Sequence, residues 1–309
     1  MNGFPSFYDP KRVGGLAYPN LELIAQEAGR AGLRSVEHDT QNVQLLLIDM
    51  QVAFCHERSS LYVPGAQDDV RRVIEFIYRN AERISQITCS QDSHYPFQIF
   101  HAAWWADAEG NQPPPFTIIS MEDVESQRWR PLRDVEWSRE YVQRLEAEAK
   151  KQLTIWPYHA MLGSMGHSVD PELWSAIFWH ALARKSQPAW WRKGSVPRTE
   201  HYSILRPEIH VTGHPQGGLN TDFVDALDEY DFVVIAGEAS SHCVLESVSD
   251  MVEVFRHTPE KLDRIFILRD CMSPLRHPNV DFEAHARAEF ARYEKQGVRF
   301  INSTDPLPF

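Results

Sequence analysis

The sequence predicts an α/β fold in which a mostly parallel sheet lies between two helical layers, a three-layer α/β/α arrangement. Three observations predict it. Residues 43–48 (VQLLLI) and 232–236 (FVVIA) are continuous apolar runs bounded by polar residues, as expected of strands buried on both faces. Beyond residue 220, strand-like and helix-like segments alternate, which implies parallel strands joined by helical crossovers. Asp49, Asp92, His159 and Cys243 each follow a predicted strand, at the edge where open parallel sheets bind ligands.

Residues 1–40 are mixed polar with Gly and Pro, hold one helical candidate at 21–31, and read as an N-terminal extension on a domain of residues 41–309. The first strand, 43–48, leads to Asp49. Val70, Val73, Ile74, Ile77, Ala81 and Ile84 then recur at i, i+3, i+4 and i+7, the stripe of an amphipathic helix. A second strand, 87–90, stops just before Asp92. Residues 102–155 are less regular, with a short strand at 116–119, a helix at 141–151 carrying Val142, Leu145 and Ala149 on one face, and a strand at 153–156. Asp170 caps a helix at 171–184, with Pro171 at its first position. A helix from Asn220 or Thr221 to about Tyr230 leads into strand 232–236, and Val244, Val248, Met251, Val252 and Phe255 mark the helix after it. A strand at 264–268, a helix at 282–296 and a strand at 298–301 complete the alternation. The pairs Trp104–Trp105 and Trp190–Trp191 read as packing residues rather than as walls of a binding site.

Composition excludes several classes. Lys and Arg number 31 against 43 Asp and Glu, a net charge of −12, the wrong sign for binding nucleic acid or an anionic membrane. No apolar stretch approaches the roughly 18 residues of a membrane span. No Gly-x-Gly-x-x-Gly follows a strand, so a dinucleotide site has no support. The four cysteines, Cys55, Cys89, Cys243 and Cys271, form neither a disulfide framework nor a Cys-x-x-Cys metal motif. They read as free thiols in a reducing, cytoplasmic setting, and no basic-then-apolar leader opens the chain.

The residues offer candidate chemistry, each with a plainer reading beside it. Cys243 follows a buried strand and a short turn at the start of a helix, where free N–H groups and the helix dipole favour a thiolate and a developing oxyanion; most cysteines are simply small core residues. Asp49 is a cap or a proton-transfer group. Lys193, alone before a glycine, is a surface residue or the partner of a thiol. Asp92 and His94, at i and i+2, point to one side of an extended segment, and with His101 and His159 they form a donor set suited to Zn, Fe or Mn.

In order along the chain, from about residue 43 to 303, these segments resemble the nicotinamidase branch of the isochorismatase-like cysteine hydrolase superfamily. Leu47-Ile-Asp-Met-Gln-Val-Ala-Phe54 is similar to the first-strand motif, and Ser60-Leu-Tyr-Val-Pro-Gly-Ala66 to the segment that follows it. Asp92-Ser-His94 resembles the metal-binding Asp-x-His, and Trp156-Pro-Tyr-His159 the Trp-Pro-x-His-Cys. Lys193-Gly with Glu200-His-Tyr-Ser203 resembles the catalytic lysine segment, and Gly237-Glu-Ala-Ser-Ser-His-Cys243 the nucleophile loop.

The resemblance implies the isochorismatase-like hydrolase fold with its Rossmann-like sheet. It implies Cys243 as nucleophile, Asp49 as acid and base, and Lys193 as the third member of the triad. It further implies a cis Glu238–Ala239 bond, an oxyanion hole from the N–H groups of Ala239 and Cys243, and aromatic walls at Phe54 and Trp156. A divalent metal (Zn, Fe or Mn) on Asp92, His94 and His159, with His101 as a further candidate, would hold a pyridine nitrogen. The implied reaction takes a small-molecule heteroaromatic carboxamide to its carboxylate and ammonia through a thioester, in a protein that forms homo-oligomers. Ala53 and Ala160 depart from the motifs, which carry Asp and Cys there. By the same family resemblance, the stretches at about 102–155 and 160–190 are insertions, and they lie where they would reshape the pocket. An amidase of the same superfamily with a different carboxamide is therefore the alternative. An isochorismatase-type hydrolase is disfavoured by the metal set and the cysteine, and a silent binding protein by the complete Asp–Lys–Cys set.

Overall fold

The structure, a computed structural model, describes residues 3–148, 151–277 and 280–309. Its strands are β1 (Val43–Ile48), β2 (Gln86–Asp92), β3 (Trp105–Ala106), β4 (Ile118–Ile119), β5 (Arg130–Pro131), β6 (Leu153–Thr154), β7 (Ala189–Lys193), β8 (Phe232–Gly237), β9 (Ile265–Leu268) and β10 (Arg299–Ile301). Six of them form one sheet in the order β10-β9-β8-β1-β2-β7, with every neighbouring pair parallel. The others form two short antiparallel pairs, β3 with β5 and β4 with β6. All of β1 is buried, as its mostly apolar sequence requires of a central strand, and its one polar side chain, Gln44, donates to Thr88 Oγ1 at 2.9 Å.

The α-helices are α1 (Leu21–Arg30), α2 (Val52–Cys55), α3 (Ala66–Arg79), α4 (Met121–Glu125), α5 (Val135–Glu148), α6 (Pro171–Arg184), α7 (Thr221–Leu227), α8 (Cys243–Val254) and α9 (Phe282–Glu294). The crossovers from β1 to β2 and from β2 to β7 run one way along the sheet, while those from β8 to β9 and on to β10 run the other way. Right-handed connections then put α3 and α6 on one face and α8 and α9 on the other. The packing agrees: α3 lies against α6, α1 against α6, and α8 against α9.

Because the chain steps outward from β1 and returns on its other side at β8, the carboxyl ends of these two strands flank a topological switch point. That crevice is where the site lies. The N-terminal extension is fastened to α6: Asp170 caps the helix by accepting the N–H groups of Glu172 and Leu173, and its other oxygen accepts the N–H of Gly14 at 2.8 Å. Among the described residues, no helix is long and apolar enough to cross a membrane.

Most element boundaries match the sequence expectations within a few residues. Helix α5 starts at Val135, ahead of the expected Tyr141, with Val135 itself exposed; Ala149, expected on its buried face, lies outside the described residues. The expected strand at 153–156 narrows to β6. Strand β7 was not expected at all, since Trp190 and Arg192 are exposed and a lysine holds its most buried position.

Candidate active site

Three elements deliver the reactive side chains to the crevice. Asp49 leaves β1 with φ +48°, a left-handed conformation that Asp tolerates better than most residues, and is fully buried. Its N–H donates to Ser90 Oγ at 3.1 Å, and that hydroxyl donates back to Asp49 Oδ1 at 2.5 Å. Lys193 ends β7, where the register pairs it with Asp92 across the strands. Cys243 is the first residue of α8, so its N–H has no acceptor within the helix. The Glu238–Ala239 bond is cis, as expected.

The lysine joins the others. Its ammonium donates to Asp92 Oδ1 at 3.1 Å, to the His201 carbonyl at 3.0 Å and to Cys243 Sγ at 3.5 Å. Asp49 Oδ2, 2.8 Å from the same nitrogen, is its nearest partner, and the Asp49 side chain also lies within hydrogen-bonding reach of Cys243. Burial opposes charge on Lys193, but Asp49 and Asp92 overcome it and hold the ammonium pKa well above its usual value. For Cys243 burial wins: the thiol is pushed well above its ordinary pKa despite Lys193, with Asp49 and Asp92 adding to the rise. Burial thus favours the thiol form of Cys243 over the thiolate.

Beside this cluster, Asp92, His94 and His159 bring three donor atoms within 4.8 Å of one another, all buried. His94 Nδ1 lies 3.1 Å from the Gly194 carbonyl and His159 Nδ1 lies 2.7 Å from the Pro157 carbonyl, which leaves both Nε2 atoms facing Asp92 Oδ2 at 2.7 and 3.5 Å. Backbone anchoring of the far ring nitrogen is how metal-ligating histidines are oriented. Two imidazoles and one carboxylate fit Zn, Fe or Mn. Burial opposes ionisation of Asp92, but His94 and Lys193 hold its pKa well below the usual carboxylate range. Gly194 has φ +82°, and a Cβ there would come within 2.5 Å of Asp92 Oδ1. Gln51 fixes the end of β2 from the other side, accepting the Asp92 N–H and donating to its carbonyl. His101 stands next to the trio, its ring centroid 5.9 Å from that of His94, outside the converging set. It is fully buried with neither nitrogen hydrogen-bonded, and burial together with His94 and His159 lowers its pKa to about 3, so it is neutral.

Cys243, Ala239, Asp92 and His159 line one small cavity. Phe54, Leu61, Val63, Trp156 and Leu275 give it apolar walls, with Phe54 edge-on to His159 at 5.5 Å. The structure thus gathers Asp49, Lys193, Cys243, Asp92, His94, His159, Ala239, Phe54 and Trp156 around one crevice. Sequence reasoning gave no role to Glu200, Tyr202 and His242, which complete the wall. Tyr202 accepts the indole N–H of Trp156 at 3.1 Å. Burial raises the Glu200 pKa to about 7, with His94 opposing. Glu200 and Tyr202 stand in the lysine segment of the motif, and His242 directly precedes the nucleophile, so nearness in sequence was the available signal.

No family model matches the chain, and no curated protein matches it by sequence. Its structure, however, is similar to a nicotinamidase/pyrazinamidase of Acinetobacter baumanii (20% identity, TM-score 0.57), covering 87% of this chain and 100% of that one. It is similar also to the yeast nicotinamidase (14%, TM-score 0.57; 84% and 99% covered). A third neighbour is an L. infantum protein crystallised with nicotinate (16%, TM-score 0.52; 86% and 95% covered). The likeness is one of fold. The chain adopts the three-layer fold of the isochorismatase-like hydrolases, the class that its motifs resemble.

Proposed function

We propose that the protein is a metal-containing cysteine amidohydrolase that converts a heteroaromatic carboxamide to its carboxylate and ammonia, as nicotinamidases do. One observation carries the reading: Lys193 Nζ lies 2.8 Å from Asp49 Oδ2, 3.1 Å from Asp92 Oδ1 and 3.5 Å from Cys243 Sγ, so thiol, base and candidate metal ligand share one buried cation. Asp49 takes the Cys243 proton, and the sulfur attacks the amide carbonyl. The N–H groups of Ala239 and Cys243 receive the oxyanion. Asp49 returns the proton to the leaving ammonia, then takes one from the water that hydrolyses the thioester. Lys193 stays charged throughout and offsets the negative charge that moves between sulfur and carboxylate. A divalent ion on Asp92, His94 and His159 would supply a Lewis acid for a ring nitrogen, and His101 is the further candidate donor. The flat walls at Phe54 and Trp156 suit a small aromatic ring.

A different carboxamide is favoured by one feature: the buried acid Glu200 in the cavity wall, which would receive an N–H or O–H of the substrate. The four free cysteines support a reducing, cytoplasmic setting. A homo-oligomer and the division into extension, domain and insertions complete the reading. The test is ammonia release from a panel of carboxamides, nicotinamide and pyrazinamide included, by metal-analysed protein. Release from the pyridine amides supports the reading. A silent panel with metal bound and Cys243 alkylatable moves the substrate elsewhere, and an inert Cys243 removes the amidase class.

A further inference from the structure

Behind the nucleophile loop, away from the cavity, lies a second pair of buried carboxyl groups. Glu238, the residue before Ala239, is fully buried, and Asp69 on α3 is 3% exposed. Their side chains are within hydrogen-bonding reach of each other. Asp69 Oδ2 and Glu238 Oε1 are both sealed from solvent and make no well-formed hydrogen bond, the Ser273 hydroxyl being the neutral donor within reach of Asp69. The remaining oxygens are held in place: Glu238 Oε2 accepts the Ser273 N–H at 3.3 Å, and Asp69 Oδ1 accepts from Arg72 at 3.1 Å. Ser273 also accepts the Ser240 N–H through its carbonyl at 2.8 Å, so the same residue braces the loop on both sides of Ala239. Gly65, with φ +108°, lets the start of α3 approach, since a Cβ there would collide with Ser273 Oγ.

Two orphaned acceptors of this kind are satisfied together by one proton. We propose that Glu238 and Asp69 share a proton, and that this neutral carboxyl bridge is a positioning device that ties the Glu238–Cys243 loop to α3 and so holds the oxyanion-hole N–H of Ala239 in register. The proposal rests on the amidohydrolase reading for its catalytic consequence only. The groups facing the pair are Asp68 and Arg72 on α3, Cys55 on α2, and Asp270, Cys271 and Ser273 after β9. Arg72 is the one cation among them; its side chain is 43% exposed, and it reaches only the outer oxygen of Asp69. Burial, then Asp69, pushes the Glu238 pKa well above its ordinary value. The sign follows: an acid raised on folding contributes most below its unfolded pKa of roughly 4.3, and that contribution is lost as pH rises through the folded value.

Melting of the wild type and of Glu238→Gln between pH 5 and 9 tests the bridge without any substrate. The amide donates permanently where the carboxyl donates only when protonated. The melting point of Glu238→Gln should therefore rise relative to wild type as pH increases, and a difference flat with pH overturns the shared proton. Stabilisation of the wild type alone by millimolar Ca²⁺ or Mg²⁺ at high pH would also overturn it, making the pair a cation site. Catalysis is the second readout. Glu238→Ala should lower kcat by about 10- to 100-fold, the cost of misplacing a reacting group by an ångström, with Glu238→Gln restoring it and moving its alkaline limb upward. If Glu238→Ala keeps the wild-type kcat and pH profile, the bridge positions nothing. If the melting arm holds while no carboxamide turns over, the bridge stands and the amidase reading fails.

Discussion

The two sides of the nucleophile loop place buried acids in opposite situations. On the cavity side, Asp49 and Asp92 stand around Lys193, at 2.8 and 3.1 Å, and His94, then Lys193, hold Asp92 ionised although it is buried. On the far side, Asp69 and Glu238 face each other with no cation between them, and burial drives both toward the protonated form. Burial is nearly complete on both sides, so burial does not choose the state of Asp92; the positive charge beside it, from His94 and Lys193, does. The cavity side can therefore move a proton, while the far side keeps one.

The largest effect should come from removing the sulfur. Cys243→Ala should cut turnover by at least about 10⁴-fold and leave the melting point within a few degrees, because neither carboxyl pair loses its partner. Retained turnover would falsify the thioester route. Next, Lys193→Met should turn the cavity side into a copy of the far side. Breaking a buried ion pair from one end costs about 3–5 kcal/mol, and the orphaned Asp49 and Asp92 would recover part of it by binding protons. Urea melts should find this variant most stable toward acid, the reverse of a wild type in which Asp92 is depressed and loses stability as pH falls. If the variant follows the wild-type pH trend, the lysine is not what separates the two sides. The smallest effect is on the fold: His94→Ala should leave secondary structure unchanged, lower metal affinity by more than the roughly 10–100-fold typical of losing an outer partner, and raise KM more than it lowers kcat. Wild-type metal content in that variant would remove His94 from the ligand set.

Much of this was legible in the sequence, unevenly. Strands β1 and β8 announce themselves because central parallel strands are apolar on both faces, and their ends place Asp49 and Cys243 at the switch point without any structure. Asp92 and His94 share a side by simple strand periodicity. Lys193 was readable only through the motif that it resembles. Its strand is amphipathic, and it meets Asp92 through a cross-strand register between segments about a hundred residues apart, which no local pattern encodes. The Asp69–Glu238 pair was invisible for the same reason: one member lies on a helix stripe, the other in a loop, and only packing of α3 beneath the loop brings them together. Gln51 and Ser90 hold Asp92 and Asp49 through paired hydrogen bonds that no local sequence pattern announces.

Strand β7 carries the shared lysine and is also one of the two edge strands of the sheet. Its ladder is to β2 on one side only, and Trp190 and Arg192 project into solvent. Outer strands open with less free energy than the sheet beneath them. When β7 frays, Lys193 withdraws from Cys243 while β1 and β8 keep their pairing. Inactivation by mild heat or denaturant is then a local event, reversible and ahead of global melting, and amide exchange at residues 189–193 follows the loss of activity while the ellipticity of the sheet is still intact.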